Sequence, residues 1–412
     1  MKQKRVSVVA GALVILILVI LAAVRLTSVP SSAEQEAQTG DLPVPGQVIA
    51  GFVVEDVEDF PEAKGTIITF RHEVSGATLC YIQNEDTNRA FSIGYRTPMA
   101  DESDINHVFE HAILGSSEKS PSHTLIYDLI GKTYSTYVNA FTYQTFTMYP
   151  VASQSEEQLR NMADVILSCM VSPGVLTDEN FFKREALRYT LSDPQDDITM
   201  SGTVFTEDLS YMTDIGGNAR NNVMDTLYPG EYASNMIGRA WENYRELTYD
   251  KVMQLYERCY HFDNALLLLY GDLDYESFLT FLDSEYLSQE PNHHTDLSAY
   301  DQPSAQSGYK EVEYYAPAYE GDSTQDASVL YYAFDLDGQN METLHQYNVL
   351  CDLLNANDSV LQQNMKSAGL GNATASLGVD ALKPVLMFGL DNADPEDAQT
   401  FRRVVEDTLA SI

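Results

Sequence analysis

The sequence predicts an α+β fold of two homologous domains, each a mostly antiparallel sheet with helices packed on one face, the second domain incomplete. Three patterns carry that expectation. Short β-branched and aromatic runs bounded by turn residues open the chain's globular part, amphipathic helical stretches follow them, and after a polar stretch the same strand-then-helix order begins again.

The N-terminus stands apart from this plan. Lys2, Lys4 and Arg5 precede an uncharged apolar run from Val6 to Val24, which Arg25 stops, so residues 1–27 read as a signal peptide or N-terminal membrane anchor. Because the basic flank lies on the N-terminal side, the bulk of the chain is expected outside the cytoplasm. Residues 28–46, rich in Ser, Pro, Gln and acidic residues, read as a flexible stalk.

The first domain is expected over 47–286. Phe52–Val57, Thr66–His72, Thr78–Ile82 and Ala90–Tyr95 read as strands, with a turn at Gly76. The pattern becomes helical from Asp104 to Leu114, where Ser103 or Asp104 can cap and Gly115 can stop the helix. A helix over His123–Gly131 and an aromatic strand pair over Tyr134–Tyr149 come next, then helices over Glu156–Met170, Glu179–Leu191 and Tyr249–Tyr260. The apolar run Ala265–Gly271 reads as a buried closing strand. Residues 287–308 are polar, with Pro291, His293, His294 and Pro303, and are expected to link two domains. Beyond them, a strand at Ser328–Phe334, helices at Met341–Asn355 and Ser359–Ala368, a strand at Val385–Leu390 and a helix at Pro395–Ile412 repeat the first series. This second domain, 309–412, reads as truncated, and the chain as part of a longer protein.

Composition limits the function classes. With 412 residues and 44% hydrophobic content the chain can bury a large core. Its formal net charge of -37 repels nucleic acid and anionic lipid and would draw cationic peptides into an acidic cavity. Cys80, Cys169, Cys259 and Cys351 are widely spaced, without a CxxC pair, and read as buried thiols. No phosphate loop, dinucleotide fingerprint or GxSxG elbow occurs.

The chemistry lies in His107-Val108-Phe109-Glu110-His111, an HxxEH run. Residues at i and i+4 share a helix face, so both imidazoles can reach one metal, with Glu110 beside them. Catalytic zinc takes three protein ligands and a water whose pKa it lowers, and Glu110 is placed to accept that water's proton. A merely exposed helix would not surround the motif with Phe109, Ala112, Ile113 and Leu114. A third ligand is required, and spacing does not choose among Glu179, Glu185 and Glu207.

The blocks HVFEHAILGSSEKSP, YSTYVNAFTYQTFTMYPV, FFKREALRYTLSDP, GTVFTEDLS and YHFDNALLLLYGDLD, in that order, resemble the N-terminal half of the pitrilysin and insulinase zinc metallopeptidases, and within them the presequence protease branch. The resemblance implies one Zn2+ per chain held by His107, His111 and Glu207, with Glu110 as general base and Glu185 supporting a ligand histidine. It implies that Asn139 and Ala140, in VNAFT, present a strand edge to extended peptide substrates. Phe141, Tyr143 and Phe146 either line that cleft or pack in the core, while Asn264, Gly271 and Asp272 match a structural block. The resemblance implies a clamshell that closes two halves around a peptide, its second half supplying an arginine and a tyrosine that are not assigned in this chain because it ends within the second domain. The expected function is therefore a zinc-dependent metalloendopeptidase acting on oligopeptides or unstructured peptides, partnered by the C-terminal half of the same enzyme or by a partner chain. The alternatives are a non-catalytic binding or assembly subunit and a half-enzyme inactive alone. A membrane partner is expected through the N-terminal segment, and no nucleic acid.

Overall fold

Strand alternation divides the core into two apolar layers. In β4 (Thr78–Gln83), Leu79 and Tyr81 face one layer, and Cys80 and Ile82 the other. This computed structural model describes residues 42–239, 243–316, 321, 323, 326–378 and 383–412. The segment expected to be a signal peptide or anchor and most of the stalk lie outside the described residues.

In chain order, β1 (Val48–Ile49), β2 (Phe52–Phe60), β3 (Gly65–His72), β4 and β5 (Arg89–Arg96) lead into α1 (Ile105–Ile113) and α2 (Leu125–Lys132). Then come β6 (Tyr137–Val138), β7 (Phe141–Thr142), β8 (Phe146–Ser153), α3 (Glu156–Val171), α4 (Asn180–Glu185), β9 (Arg188–Thr190) and β10 (Thr199–Ser201). Next are α5 (Thr203–Leu209), α6 (Ile215–Leu227), α7 (Tyr249–Cys259), β11 (Ala265–Tyr270) and α8 (Tyr275–Glu285).

The nine-stranded sheet runs β1-β2-β3-β4-β11-β5-β8-β6, with β7 also on β8. All its pairings are antiparallel except β11 with β4, which is parallel. The run ALLLLY is thus a central strand, apolar toward both layers, with Leu267 and Leu269 in one and Leu268 and Tyr270 in the other. Helices α1, α3, α7 and α8 send Val108, Phe109, Ile166, Leu255 and Phe278 into the larger layer. All four cysteines are buried free thiols.

Two sequence expectations change here. The helix expected over Glu179–Leu191 ends at Glu185, and residues 188–201 form the β9–β10 hairpin instead. Gly202 closes this turn so tightly that a Cβ there would lie 2.0 Å from the Ala186 carbonyl oxygen. The polar stretch expected to be a linker is packed for much of its length. Leu287, Leu297 and Tyr300 are buried in the first core, and Asp263 accepts from the Thr295 N–H and hydroxyl at 2.6 and 3.0 Å.

The second sheet joins β12 (Ser328–Asp335), β13 (Ala373–Gly378) and β14 (Val385–Ala393), ordered β12-β14-β13 and antiparallel. Helices α9 (Met341–Asn355), α10 (Val360–Ser367) and α11 (Ala398–Ser411) bury Leu354, Leu361, Phe401 and Val405 against it. Met224 of α6 and the following Tyr228 pack with Val385 and Met387, joining the two sheet units. The Tyr228 hydroxyl donates to Asp335, and Lys383 bridges the Asp301 carbonyl and the Asp337 carboxylate.

Candidate metal centre

Helix α1 has two unlike faces. Val108, Phe109, Ala112 and Ile113 are fully buried, and Phe109 meets Tyr260 edge-on at 4.9 Å between ring centroids. The other face carries His107, Glu110 and His111, with the imidazoles 5.0 Å apart at 78°. Asn106 fixes the helix start by donating to the Thr97 carbonyl at 2.6 Å. Gly115 follows the helix where Phe181 of α4 presses in, since a Cβ would lie 2.5 Å from that ring. That contact sets α4 against α1.

Helix α5 brings Glu207 to the two histidines. Its Oε2 lies 3.6 Å from His107 Nε2 and 3.7 Å from His111 Nε2. One donor atom from each of the three lies within 4.8 Å of the others. Metal–ligand bonds of the usual length in a tetrahedral zinc site would separate neighbouring donors by about 3.4 Å, so this donor set fits zinc in chemistry and span. Glu179, by contrast, pairs with Lys183 at the surface. Glu185 lies on the far side of His111, its Oε2 3.6 Å from Nδ1.

The electrostatics differ from residue to residue. Burial raises the Glu110 carboxyl, and Glu207 adds to this, against the pull of His107, His111 and the Thr142 hydroxyl. Burial opposes protonation of His107, but the carboxylates of Asp104, Glu110 and Asp208 outweigh it and lift the imidazole to about 9. Burial also works against ionisation of Glu185, yet hydrogen bonding with His111, Thr203 and Arg184 prevails and holds it at about 2. Arg184 donates to Glu185 and to the His123 carbonyl, so that carboxylate is anchored from behind.

Several neighbours are invisible in the sequence pattern. Thr142 Oγ1 donates to Glu110 Oε2 at 2.8 Å, linking β7 to the centre. Asp104 stands at the N-cap of α1, but its side chain caps nothing. It adopts a left-handed conformation, φ 58, and accepts from the Gly238 N–H at 2.8 Å. The cap expectation fails because its carboxylate faces the loop at Gly238 and His107 rather than the helix N–H groups. The one sequence signal for Asp208 is that it adjoins Glu207.

Asn139 and Ala140 lie at the break between β6 and β7, two short pieces pairing with the same strand β8 at the sheet edge. Asn139 is exposed, its amide N–H donates to the Pro150 carbonyl, and its side chain accepts from the Ala140 N–H at 2.9 Å. Phe141, Tyr143 and Phe146 stack in a row, and Phe141 and Phe146 pack on the smaller apolar layer. Asn264 donates to the carbonyls of Arg96 and Cys259, a framework role.

HxxEH is the motif of the inverzincins, and here it lies on a helix of an α+β framework with Glu207 brought to it by a separate helix. A family model described as "Peptidase M16 inactive domain" matches residues 246–412. The chain is 28% identical over 370 residues to protein HypA of Clostridium perfringens, covering 89% of this chain and 38% of that protein. It is 29% identical to presequence protease 1, chloroplastic/mitochondrial, of Arabidopsis thaliana, covering 88% and 34%. Among solved structures, pitrilysin superposes with a TM-score of 0.59 at 12% identity, covering 83% of this chain and 35% of that one. The periplasmic protease PqqL from Escherichia coli gives 0.53 at 16%, covering 84% and 37%. The chain is thus similar to metallopeptidases of the pitrilysin/insulinase (M16) family, whose enzymes are zinc-dependent. It spans well under half the length of these relatives.

Proposed function

We propose that this chain is the metal-bearing part of a zinc-dependent endopeptidase that cleaves oligopeptides or unstructured peptides. The observation that carries the reading is the meeting of His107 Nε2, His111 Nε2 and Glu207 Oε2 beside the buried Glu110. These three side chains would hold one zinc ion, which would supply Lewis-acid chemistry, lowering the pKa of water and polarising a carbonyl. Glu110 takes the proton of the attacking water and returns it to the leaving amine. Thr142 holds the Glu110 carboxylate through Oε2. Glu185, ionised and anchored by Arg184, orients His111 through Nδ1. Asn139 and Ala140 offer the sheet edge beside Thr142 to an extended peptide.

The completed chamber requires a second half, from the same enzyme or a partner chain. The chain's coverage of only 34% of the Arabidopsis relative supports this. A non-catalytic subunit is the second reading, favoured by the "inactive domain" description, but that match begins after Glu207 and leaves the HxxEH helix outside it. On the sequence of residues 1–27, the chain is membrane-anchored or secreted and acts outside the cytoplasm. Among the described residues, no helix is long and apolar enough to cross a membrane.

The test measures zinc content and hydrolysis of a quenched, unstructured peptide by the chain and by Glu110→Gln, with and without the C-terminal half of a presequence protease. We expect about one zinc in both proteins, and cleavage with Glu110 that falls by roughly 10²–10⁴ without it. Equal cleavage by Glu110→Gln would overturn the mechanism. Zinc binding with no cleavage in any combination would favour the non-catalytic subunit.

A further inference from the structure

We propose that Asp104 and Asp208 are positioning residues that grip Nδ1 of His107 and so turn its Nε2 toward Glu207 and His111. The inference rests on the zinc reading above and assigns two residues that neither the motif nor the resemblance singled out. Asp104 Oδ2 and Asp208 Oδ1 lie 3.7 and 3.8 Å from His107 Nδ1, and both side chains are fully buried. Consecutive residues of α5 therefore face the two nitrogens of one imidazole, Glu207 at Nε2 and Asp208 at Nδ1.

The cost of this arrangement argues for a use. Buried carboxylates are unfavourable unless paired or hydrogen-bonded. Asp104 also returns no helix cap from its place before α1. Its Oδ2 takes the Gly238 N–H, while Oδ1 is buried with no hydrogen-bond partner among the described residues. His107 Nδ1 is likewise buried without a hydrogen-bond partner at the present spacing. A small approach of either carboxylate would place a proton on Nδ1 and leave the Nε2 lone pair free, which fixes the tautomer a metal needs. His111 has a different support, the single carboxylate of Glu185 backed by Arg184.

The experiment compares the full chain with Asp104→Gly, Asp104→Asn and Asp208→Asn. Zinc affinity is read by competition with a chromophoric chelator, the ligand field by the visible spectrum of the cobalt(II) form, and stability by metal-free thermal unfolding. Asparagine tolerates the positive φ and keeps an acceptor for the Gly238 N–H, so Asp104→Asn should unfold close to the wild type, whereas Asp104→Gly relieves the φ but loses that acceptor. All three variants should bind zinc about 10–100-fold more weakly and shift the cobalt bands. Wild-type affinity and spectrum in the variants would overturn the inference while leaving the zinc site intact. Binding of two zinc ions by the wild type, reduced to one by Asp208→Asn, would overturn it in favour of a second cation held by Asp104, His107 and Asp208. A folded wild type that binds no zinc would remove the metal reading and this inference together.

Discussion

Helix α1 follows β5 and turns His107, Glu110 and His111 toward α5, whereas α9 follows β12 and turns its one histidine, His345, to solvent. Each buries an apolar stripe on its own sheet, Phe109 and Ile113 in the first, Leu344, Cys351 and Leu354 in the second. Among the described residues, the groups of side chains able to converge on a metal ion both include His107, and none involves the second sheet. Sheet-and-helix packing thus sets where a helix lies, whereas a donor set able to hold a metal ion forms where a second helix brings acids to its polar face.

The comparison breaks most completely if α1 is stripped of its donors. His107→Ala or His111→Ala should abolish zinc retention measured after exhaustive dialysis, making α1 as inert as α9. The apolar stripe is the next largest effect. Phe109→Ala, which removes a fully buried ring packed on Tyr260, should cost about 3–5 kcal/mol in urea-induced unfolding. Thr142→Val should leave zinc content unchanged and lower kcat several-fold through the loss of about 1 kcal/mol of hydrogen bonding to Glu110.

A smaller, pH-dependent effect is expected at Asp101, which pairs with Lys251 of α7 at 2.9 Å. Burial raises its carboxyl, but hydrogen bonds from Ser103 and Lys251 prevail and hold it below the ordinary value. A depressed folded-state pKa stabilises above the unfolded value, near 4, and that contribution is lost as the pH falls through the folded value. The unfolding midpoint of Asp101→Asn should therefore lie below that of wild type at neutral pH and converge with it in acid. A constant gap would show that the pair contributes through packing instead. His345→Ala should change neither zinc content nor stability measurably, and a loss of zinc there would break the contrast between the two helices.

Much of the framework was legible because its signals are local. The 3.6-residue pattern of α1, the run ALLLLY and the helix Met341–Asn355 all read directly as elements. The residues of the centre were legible in unequal degree. HxxEH is local, but Glu207 arrives from a helix the periodicity did not mark, and only resemblance separated it from Glu179 and Glu185. Thr142, Asp104 and Asp208 were illegible as site neighbours because tertiary packing alone brings them to α1. The hairpin after Glu185 was missed for a related reason, since the close approach of Gly202 to Ala186 overrides local helix propensity. Polar composition at 287–308 likewise hid Leu287, Leu297 and Tyr300, whose burial anchors that segment.

The zinc site is tested most directly by the zinc stoichiometry of the purified, folded chain beside that of Glu207→Gln. About one zinc per wild-type chain and a marked loss of affinity in the variant are expected. A folded wild type without zinc, or undiminished binding by Glu207→Gln, would contradict this site.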